Sequence, residues 1–525
     1  MSVKITKILA IFILILLSLA ILANSMSKPP GRDEQMYCTA SVLLSQGKMI
    51  YRDFSYAAQL PYHPLLCAAL LKIFHSTYYL LIGRILSVFC DISVAVCIIG
   101  IYRYIFKSFE ITGTLFGLAA AIIYVFNPLV DYANGYAWNH DVVILCVVLA
   151  FWLFISTDFT QKSKYWRIAA IGALLTFASF MRITTVLVEL LFFVILLSQS
   201  AESLKKRFKN ILPFLIAAVV FSTWPVWVIA QAPQAFFLNL VKIPKLYGEW
   251  LHQIGMVYNK FGLTIACFMQ PGYFMILVLG IFLFLIMLFI HQKLKIENFR
   301  TLLLAVLLPL MFFIIALIPP TMWIQYLAIP VPFLIISFAY PLLYLRELAN
   351  KTCFQIACAL ISVCILVTVI SPGLDLDPTQ HSPAMPLYRV ILQRIALVLV
   401  PEKWQPIEIH KMSKDIVSRT KEPKLILTLG PLLAIEGGAD IYPEFSCGAI
   451  IYRAADSLSA SERNITHTIG VKTVGEIVEK NPPSAVILNV ERGKLASLEA
   501  PIQEVVKANW VRNTYENGFV AYFKP

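Results

Sequence analysis

Long apolar stretches separated by short polar segments dominate the sequence. Stretches of about 18 or more apolar residues recur over residues 1–371, which is the length that a helix needs to cross a bilayer. The first covers residues 5–25, and the last covers roughly residues 353–371. We therefore predict a mainly α-helical, polytopic membrane bundle with about eleven transmembrane helices.

Residues 26–78, between the first two predicted spans, contain only short helical patterns. Met36–Lys48 reads as a short amphipathic helix, and Leu65–Phe74 is apolar but too short to span a bilayer. We predict that both helices lie at the membrane–water interface, within the first outer loop.

The pattern changes in residues 372–525, where helical and extended segments alternate. We predict a small α/β domain in this part of the chain. Its buried strands are Lys424–Leu429 and Ser484–Leu488, and its amphipathic helices are Val471–Lys480 and Ala496–Ala508. A terminal hairpin covers Trp510–Phe523 and turns around Asn517-Gly518. The predicted domains are thus a membrane domain, residues 1–371, and an extracytoplasmic domain, residues 372–525.

Composition and charge exclude several classes of protein. An apolar fraction of 59% and a mean hydropathy of +0.76 exclude a soluble globular protein. Residues 372–525 contain equal numbers of basic and acidic side chains, so the formal net charge of +13 comes entirely from residues 1–371. A nucleic-acid partner is therefore not expected. The ten cysteines have no paired spacing, which excludes a disulfide scaffold and a zinc cluster.

Basic residues predict the orientation of the helices. Lys4 and Lys7 precede the first apolar stretch, and the cluster Lys205–Lys209 lies in a predicted inner loop, whereas the outer turns 127–141 and 319–326 contain no Lys or Arg. We predict a cytoplasmic N-terminus, a retained first helix and a C-terminal domain outside. The compact loops favour a bacterial inner membrane.

Asp33 and Glu34 are the first candidates for chemistry. They follow the first apolar stretch, and two acids at a membrane surface are costly to hold ionised unless water or a cation serves them. Arg52 lies close in sequence, so this segment can act on a phosphate-bearing lipid. Acids also favour the N-terminal end of a helix, and an ordinary solvated pair is the alternative interpretation.

Asp141 is a second candidate acid. It ends the segment Asn139-His-Asp141, where the chain re-enters the membrane after an outer loop that also contains Asp131. Asn139 or Asp141 can cap the following helix. Alternatively, Asp141 shares a site with Asp33 on the same side of the membrane. His140 is more simply an interfacial hydrogen-bonding residue than a ligand.

Several cations and one tyrosine are candidates for substrate binding. Arg84 lies near the outer end of its helix, seven residues from Asp91 on one face, so an internal ion pair is the alternative. Arg182 lies at the outer tip of a helical hairpin and either snorkels to the headgroups or binds a lipid phosphate. The remaining candidates are Lys242, Lys245 and Tyr326. The alternative for each lysine is a solvated surface position, and the alternative for Tyr326 is a residue of the aromatic belt at the membrane interface.

Four segments resemble the GT-C glycosyltransferases, in particular the branch with the protein O-mannosyltransferases and lipid A aminoarabinose transferase. They are Gly31–Glu34 in the first outer loop, Pro61–Leu65, Gly172–Arg182 and Trp323–Pro330. The resemblance covers roughly residues 1–371. It implies an enzyme that transfers a sugar, with inversion, from a polyprenyl-phosphate donor to a lipid, glycan or protein acceptor on the outer face of the membrane.

The resemblance also implies roles for individual residues. Asp33 matches the catalytic acid or base of the first loop, Asp141 or Asp131 matches a second carboxylate, and Arg182 matches a basic residue near the donor phosphate. Some members use a divalent metal ion, for which Asp33 and Asp141 are the candidate ligands. No cofactor is otherwise expected.

Two other classes of function remain open at this point. A lipid or polysaccharide transporter would use intramembrane charges to line a path, but it should show paired repeats and broken central helices. In a membrane-anchored binding protein, the α/β domain would bind the ligand. The long first outer loop would then have no explained role.

Overall fold

The computed structural model describes residues 2–198, 203–256, 259–290, 299–347, 351–371 and 387–525. The first part of the chain is almost entirely helical. Its α-helices are α1 (Val3–Ser27), α2 (Arg32–Ser45), α3 (Tyr62–Phe74), α4 (Tyr79–Ile105), α5 (Glu110–Val125), α6 (Pro128–Ala133), α7 (His140–Ile155), α8 (Lys164–Ser179), α9 (Val186–Leu197), α10 (Leu204–Gln231), α11 (Pro233–Phe237), α12 (Ile243–Gln253), α13 (Lys260–Phe268), α14 (Pro271–Ile290), α15 (Phe299–Leu317), α16 (Pro330–Ser337), α17 (Ala339–Glu347) and α18 (Lys351–Ile370). Short 3₁₀ helices occupy Lys107–Phe109, Ile183–Thr185 and Ile324–Leu327, and a π-helix occupies Leu238–Lys242.

Eight helical segments within the described residues are long and apolar enough to cross a membrane. They are Val3–Ser27, Tyr79–Ile105, Lys107–Val125, Lys205–Gln231, Pro271–Leu288, Phe299–Leu317, Ile324–Glu347 and Lys351–Ile370. The chain is therefore a multi-pass membrane protein. The other three predicted spans correspond to α7, α8 and α9, which have 16, 16 and 12 residues and are shorter than the roughly 20 residues that a perpendicular span requires. The total of eleven spans stays a prediction.

The two short helices predicted between the first two spans are present as α2 and α3, and their place at the membrane interface stays a prediction. Helix α2 begins at Arg32, because the Glu34 carboxylate accepts a hydrogen bond from the backbone N of Gly31 at 2.7 Å and so closes the helix start. Helix α3 ends at Phe74, and the left-handed backbone of the next residue, His75 (φ 47°), turns the chain towards α4. The start of α2 and the end of α3 are thus both defined by local structure.

Small residues allow the helices of the bundle to approach closely. A Cβ added to Gly172 in α8 would lie 2.6 Å from the carbonyl oxygen of Phe214 in α10, and one added to Gly117 in α5 would lie 2.9 Å from the Cα of Ile99 in α4. Close packing at small residues is one of the interactions that drive helix association in a bilayer. It fixes α8, and α8 carries the turn that presents Arg182.

The C-terminal part is a small α/β domain, as predicted. Its strands are β1 (Leu425–Thr428), β2 (Asp440–Ile441), β3 (Ala485–Leu488), β4 (Val511–Thr514) and β5 (Val520–Phe523), in the order β2-β1-β3-β5-β4. The α-helices are α19 (Leu387–Val398), α20 (Gln405–Arg419), α21 (Pro431–Ile435), α22 (Ala449–Tyr452), α23 (Ala460–Thr466), α24 (Val474–Lys480) and α25 (Ala500–Gln503). Further 3₁₀ helices occupy Pro401–Lys403, Pro443–Phe445, Ala455–Ser457 and Gly493–Glu499.

Pairing in this sheet is mixed. Strand β1 pairs in parallel with β2 and β3, whereas β3–β5 and β5–β4 are antiparallel, with Ile426 opposite Ala485 and Thr514 opposite Val520. Both predicted buried strands and the terminal hairpin are therefore confirmed. The predicted helix over Ala496–Ala508 is shorter than expected, because the chain forms a 3₁₀ helix up to Glu499 and α-helix only in α25.

The predicted domain boundary between residues 371 and 372 falls at the edge of a segment, 372–386, that lies outside the described residues. Helix α19, directly after it, packs against the bundle, and its Arg394 makes a 2.7 Å ion pair with Asp131 and a 2.8 Å hydrogen bond to Asn24. The chain thus contacts the membrane domain once more before it enters the α/β domain.

Candidate active site

A cavity of about 290 Å³ lies where α2, α12 and the segments before α7, α9 and α16 meet. It is lined by Asp33 and Tyr37 of α2, Gln59, Trp138, Asn139, His140, Arg182, Pro244, Gln325 and Tyr326, among others. Residues from six separate segments of the chain therefore converge here. Three of the nine residues that the sequence proposed for catalysis or binding, Asp33, Arg182 and Tyr326, line this one cavity.

Asp33 is the only carboxylate among the lining residues that the structure describes. It lies in the first turn of α2 and is half-buried. Its side chain makes no hydrogen bond or ion pair within the described chain. Burial raises the pKa of Asp33 above its ordinary value of 3.8, Arg453 and Arg32 oppose that rise, and Glu34 adds to it. An unpartnered carboxylate with a raised pKa is suited to accept a proton.

Arg182 is the only lysine or arginine among the described lining residues. Its guanidinium lies over the ring of Tyr326 at 4.7 Å from the ring centroid, and within the described residues it has no ion pair and no hydrogen bond. The five N–H groups of this guanidinium are therefore available to an anion. A fork of N–H donors matches the oxygens of a phosphate group.

Asn139 fixes the turn that carries Arg182. Its amide nitrogen donates to the backbone carbonyl of Met181 at 2.8 Å and to Oε1 of Gln59 at 3.0 Å. Asn139 is buried, so these hydrogen bonds are shielded from water. The next residue, His140, also lines the cavity, and its Nε2 has no hydrogen-bond partner in the described structure.

Glu34 does not face this cavity, and we revise the catalytic role predicted for it. It is fully buried and pairs with Arg84, whose Nε and Nη2 donate to its two carboxylate oxygens at 2.9 and 2.8 Å. The backbone N of Ala137 donates to the same carboxylate at 2.6 Å. Glu34 thus joins the first outer loop to α4 and to the loop before α7.

Arg84 has the same structural role, so its predicted contact with substrate is also revised. It is fully buried, and Nη1 donates to the carbonyl oxygens of Ser25 and Lys28 at 2.8 Å. The alternative ion pair with Asp91 does not form either. Asp91 instead accepts hydrogen bonds from Asn134 at 2.6 Å and from the hydroxyl of Tyr124 at 3.0 Å.

Asp141 does not share the cavity with Asp33. It is fully buried, and its Oδ2 accepts a hydrogen bond from the backbone N of Gly135 at 3.0 Å. The described residues contain no group of three or more His, Cys, Asp or Glu side chains that could hold a metal ion. The predicted pairing of Asp33 with Asp141, as two carboxylates or as metal ligands, is therefore not supported.

The other predicted cations lie outside the cavity and pair locally. Arg52 binds Asp53 at 2.7 Å on the surface, and Lys245 lies 3.8 Å from Glu249 on the exposed face of α12. Lys242 makes a 2.5 Å ion pair with Glu462 and so joins the π-helix to the α/β domain. We revise the substrate-binding roles predicted for these three residues.

Several lining residues carried no signal in the sequence. Tyr37, Gln59 and Trp138 are ordinary residue types in a tyrosine- and tryptophan-rich membrane protein, and they come together only in the fold. The indole Nε1 of Trp138 is buried and has no partner among the described residues. Polar groups left unpaired around a cavity are groups that a polar ligand can satisfy.

Comparisons with known proteins reveal similarity in sequence and in fold. Residues 60–227 match the model of the dolichyl-phosphate-mannose-protein mannosyltransferase family. The structure resembles ArnT from Cupriavidus metallidurans bound to undecaprenyl phosphate, with a TM-score of 0.61 and 12% identity over 99% of this chain and 98% of that one. It also resembles the apo oligosaccharyltransferase of Archaeoglobus fulgidus, with a TM-score of 0.51 and 10% identity over 98% of this chain and 74% of that one. Curated proteins give no significant match.

These findings confirm the resemblance to the GT-C glycosyltransferases that the sequence indicated. The family model covers part of the membrane domain, from α3 to α10, and the structural similarity extends over nearly the whole chain. At 12% identity a structural similarity shows the fold alone. The function has to be argued from the site.

Proposed function

We propose that this protein is an integral membrane glycosyltransferase that moves a sugar from a polyprenyl-phosphate donor to a lipid, glycan or protein acceptor on the outer face of the membrane. The observation that carries the proposal is one cavity that combines an unpartnered carboxylate, Asp33, with an unpaired guanidinium, Arg182. Sugar transfer from a lipid phosphate needs a group of each kind: one for the acceptor proton and one for the phosphate charge.

An apolar groove beside Arg182 suits the lipid chain of such a donor. It has a volume of about 420 Å³, runs between α8, α9 and α10, and is lined mainly by apolar residues such as Phe180, Val186 and Leu190. Ile183 lines both this groove and the cavity, so the two adjoin next to Arg182. An isoprenoid chain in the groove would bring its phosphate to the guanidinium. The ArnT structure contains undecaprenyl phosphate, a ligand of this chemical class.

The proposed reaction is a single displacement. The acceptor oxygen forms a bond to the anomeric carbon while the bond from that carbon to the phosphate oxygen breaks. The electron pair leaves with the polyprenyl phosphate, Arg182 stabilises the developing charge, and Asp33 takes the proton of the acceptor. Attack opposite the leaving phosphate inverts the anomeric configuration.

The described residues offer a divalent metal ion one carboxylate in the cavity, Asp33, and no group of three or more acids, imidazoles or thiols. Mg²⁺ is usually held by one or two carboxylates together with phosphate oxygens and water, so it would need most of its ligands from the donor and from water. No step of the proposed mechanism requires a metal ion.

We further propose that the N-terminus is cytoplasmic, that the α/β domain lies outside, and that the membrane is a bacterial inner membrane. Lys4, Lys7 and the cluster Lys205–Lys209 lie at one end of the bundle in this arrangement, and the cavity lies at the other. That distribution agrees with the positive-inside rule.

Replacing Arg182 with glutamine should weaken binding of undecaprenyl phosphate about 10- to 100-fold, because each charge-assisted hydrogen bond to the phosphate contributes about 1.5–3 kcal/mol. Titration of the lipid into purified protein, followed by intrinsic fluorescence or native mass spectrometry, measures the change. Arg103→Gln, which removes an exposed arginine paired with Glu110 at 3.4 Å, is the matched control and should bind as wild type does. Equal affinities of all three proteins would contradict the proposed donor site.

Replacing Asn139 with aspartate should weaken the same binding about 10-fold. The carboxylate cannot donate to Met181 or Gln59, so the turn before Arg182 loses one buried and one part-buried hydrogen bond, each worth about 1 kcal/mol. The titration described for Arg182 measures the effect, and Asn464→Asp on the exposed face of the α/β domain is the control. An unchanged affinity would show that Asn139 does not hold Arg182 in place.

A further inference from the structure

The helical hairpin of α8 and α9 contains an acid that the proposed reaction does not use. Glu189 lies in the first turn of α9 and lines the apolar groove beside Arg182. Among the lining residues of this groove that the structure describes, it is the only ionisable one. An ionisable side chain in the apolar part of a membrane protein is costly, so such a residue is a candidate for a functional role.

Both carboxylate oxygens of Glu189 bind to α8. The hydroxyl of Thr176 donates to Oε1 at 2.5 Å, and the hydroxyl of Ser179 donates to Oε2 at 2.7 Å. Thr176 and Ser179 lie three residues apart in the last turn of α8, so they share one face of that helix. An acid in a first turn also interacts favourably with the helix dipole, but that interaction does not require either hydroxyl. The carboxylate therefore joins the start of α9 to the end of α8.

Arg182 lies in the turn between these two helix ends. Its backbone N donates to the carbonyl oxygen of Ala178 in α8 at 2.9 Å, and its carbonyl oxygen accepts from the backbone N of Thr185 at 2.9 Å. Thr185 directly precedes α9. The backbone of Arg182 is thus attached to both helices, and the relative position of α8 and α9 determines where its side chain begins.

Contacts from other segments hold the first part of the same turn. The backbone N of Tyr62 donates to the carbonyl oxygen of Phe180 at 3.3 Å, and Asn139 donates to that of Met181 at 2.8 Å. These contacts act on the residues before Arg182, whereas Glu189 fixes the helix that follows it. The turn is therefore held on both sides of the arginine.

We propose that Glu189 is a positioning residue for Arg182. By joining α9 to α8, it holds the guanidinium where the groove adjoins the cavity, which is the place of the phosphate of a polyprenyl-phosphate lipid. Glu189 acts through the backbone of the turn and not by pairing with the guanidinium. The inference rests on the proposed function for the identity of the ligand, but the turn itself can be measured without any ligand.

Replacing Glu189 with leucine removes both acceptors and leaves a side chain of similar size. The hydroxyls of Thr176 and Ser179 can then donate to carbonyl oxygens of their own helix, so neither has to stay unpaired. Undecaprenyl phosphate should bind about three- to tenfold more weakly, the range that two interhelical hydrogen bonds in a membrane protein can account for. Glu189→Gln keeps one acceptor and adds a donor for the other hydroxyl, so it should bind nearly as wild type does.

Titration of the purified full-length protein with two lipids measures the effect. Undecaprenol, which lacks the phosphate, should bind wild type and Glu189→Leu equally, because its binding does not need the guanidinium. In an Arg182→Gln background, Glu189→Leu should cause no further loss of undecaprenyl phosphate binding. Asp158→Leu is the matched control. Asp158 also accepts from a threonine hydroxyl, that of Thr160 at 2.6 Å, but it is exposed near the other end of α8.

Two results would overturn the proposal. An equal loss of affinity for both lipids would show that Glu189 shapes the groove and does not position Arg182. Unchanged binding of undecaprenyl phosphate by Glu189→Leu would show that the link between the helices has no effect on the phosphate site. If Glu189→Leu does not give folded protein by size-exclusion chromatography, Ser179→Ala decides alone. It removes one of the two hydrogen bonds and should weaken binding of the phosphate lipid alone, by about two- to threefold.

Amide hydrogen exchange separates this proposal from the proposed function. Without lipid, residues 180–185 should exchange about three- to tenfold faster in Glu189→Leu than in wild type, because the turn opens more often. Asp158→Leu should leave this exchange unchanged. If wild type did not bind undecaprenyl phosphate, the proposed donor site would fail, and faster exchange would still support the role of Glu189 in holding the turn. Unchanged exchange in Glu189→Leu would overturn that role.

Discussion

Replacing Asp33 with asparagine should lower sugar transfer from a polyprenyl-phosphate donor by roughly 100- to 10,000-fold, the contribution that a positioned general base usually makes. The amide cannot accept the acceptor proton, although it fills nearly the same space. Asp33 makes no hydrogen bond or ion pair within the described chain, so the fold should not depend on its charge. Donor binding and the apparent melting temperature should therefore stay close to wild type.

The pH dependence of transfer gives a second test of the same assignment. Burial raises the pKa of Asp33 above its ordinary 3.8, and the reactive form is the carboxylate, so wild-type activity should fall as the pH falls through this raised pKa. The residual activity of Asp33→Asn should lack that acid limb. Asp53→Asn, in which the lost acid pairs with Arg52 outside the cavity, is the control and should transfer normally. Full activity of Asp33→Asn would exclude Asp33 as the base.

Replacing the neighbouring Glu34 with glutamine should instead destabilise the fold. We expect the free energy of unfolding to fall by about 3–5 kcal/mol. Glu34 accepts hydrogen bonds from Gly31 at 2.7 Å and from Ala137 at 2.6 Å, and it neutralises Arg84, which is fully buried. Without the carboxylate, Arg84 becomes an uncompensated charge away from water. The apparent melting temperature in detergent and the yield of folded protein measure the loss.

The chain supplies a matched control for this variant. Glu110 also pairs with an arginine, Arg103, at 3.4 Å, but both side chains are nearly half exposed. Exposed ion pairs contribute about 0–1 kcal/mol, so Glu110→Gln should melt close to wild type. If Glu34→Gln and Glu110→Gln melted at the same temperature, the buried pair would not hold the first outer loop to α4.

These two predictions assign different roles to two acids that are adjacent in sequence: a catalytic role to Asp33 and a structural role to Glu34. One helical residue turns the side chain by about 100°, so Asp33 faces the cavity while Glu34 faces Arg84 in α4. The sequence alone favoured Asp33 through the family resemblance. Only the fold explains why its neighbour has a structural role, because Arg84 lies 50 residues further along the chain.

Much of the fold could be predicted because the hydrophobic pattern is strong. The long apolar stretches, the short helices α2 and α3, and the buried strands β1 and β3 all follow from length and periodicity. The number of spans could not be fixed, because α7, α8 and α9 are too short to decide by length. The helix predicted over Ala496–Ala508 is interrupted at Pro501, which has no backbone N–H and lies in the first turn of α25.

The site was harder to predict, because its members are far apart in the chain. Asp141 was a reasonable second acid at a helix start, but it turns to the backbone of Gly135, and its neighbours Asn139 and His140 reach the cavity instead. The sequence could not separate substrate-binding cations from cations in structural ion pairs, since any of them can pair with an acid that the fold brings close. Lys242 pairs with Glu462, 220 residues away, and no local pattern indicates this.

The most direct test of the proposed function follows both halves of the donor in one experiment. Purified protein in liposomes would receive an undecaprenyl-phosphate sugar labelled in the sugar, together with a membrane extract of the expressing cells as the source of acceptor. We predict that the label moves to an acceptor while undecaprenyl phosphate is released in equal amount, and that Asp33→Asn abolishes both. Intact donor that only changes leaflet would contradict the proposal and indicate a transporter.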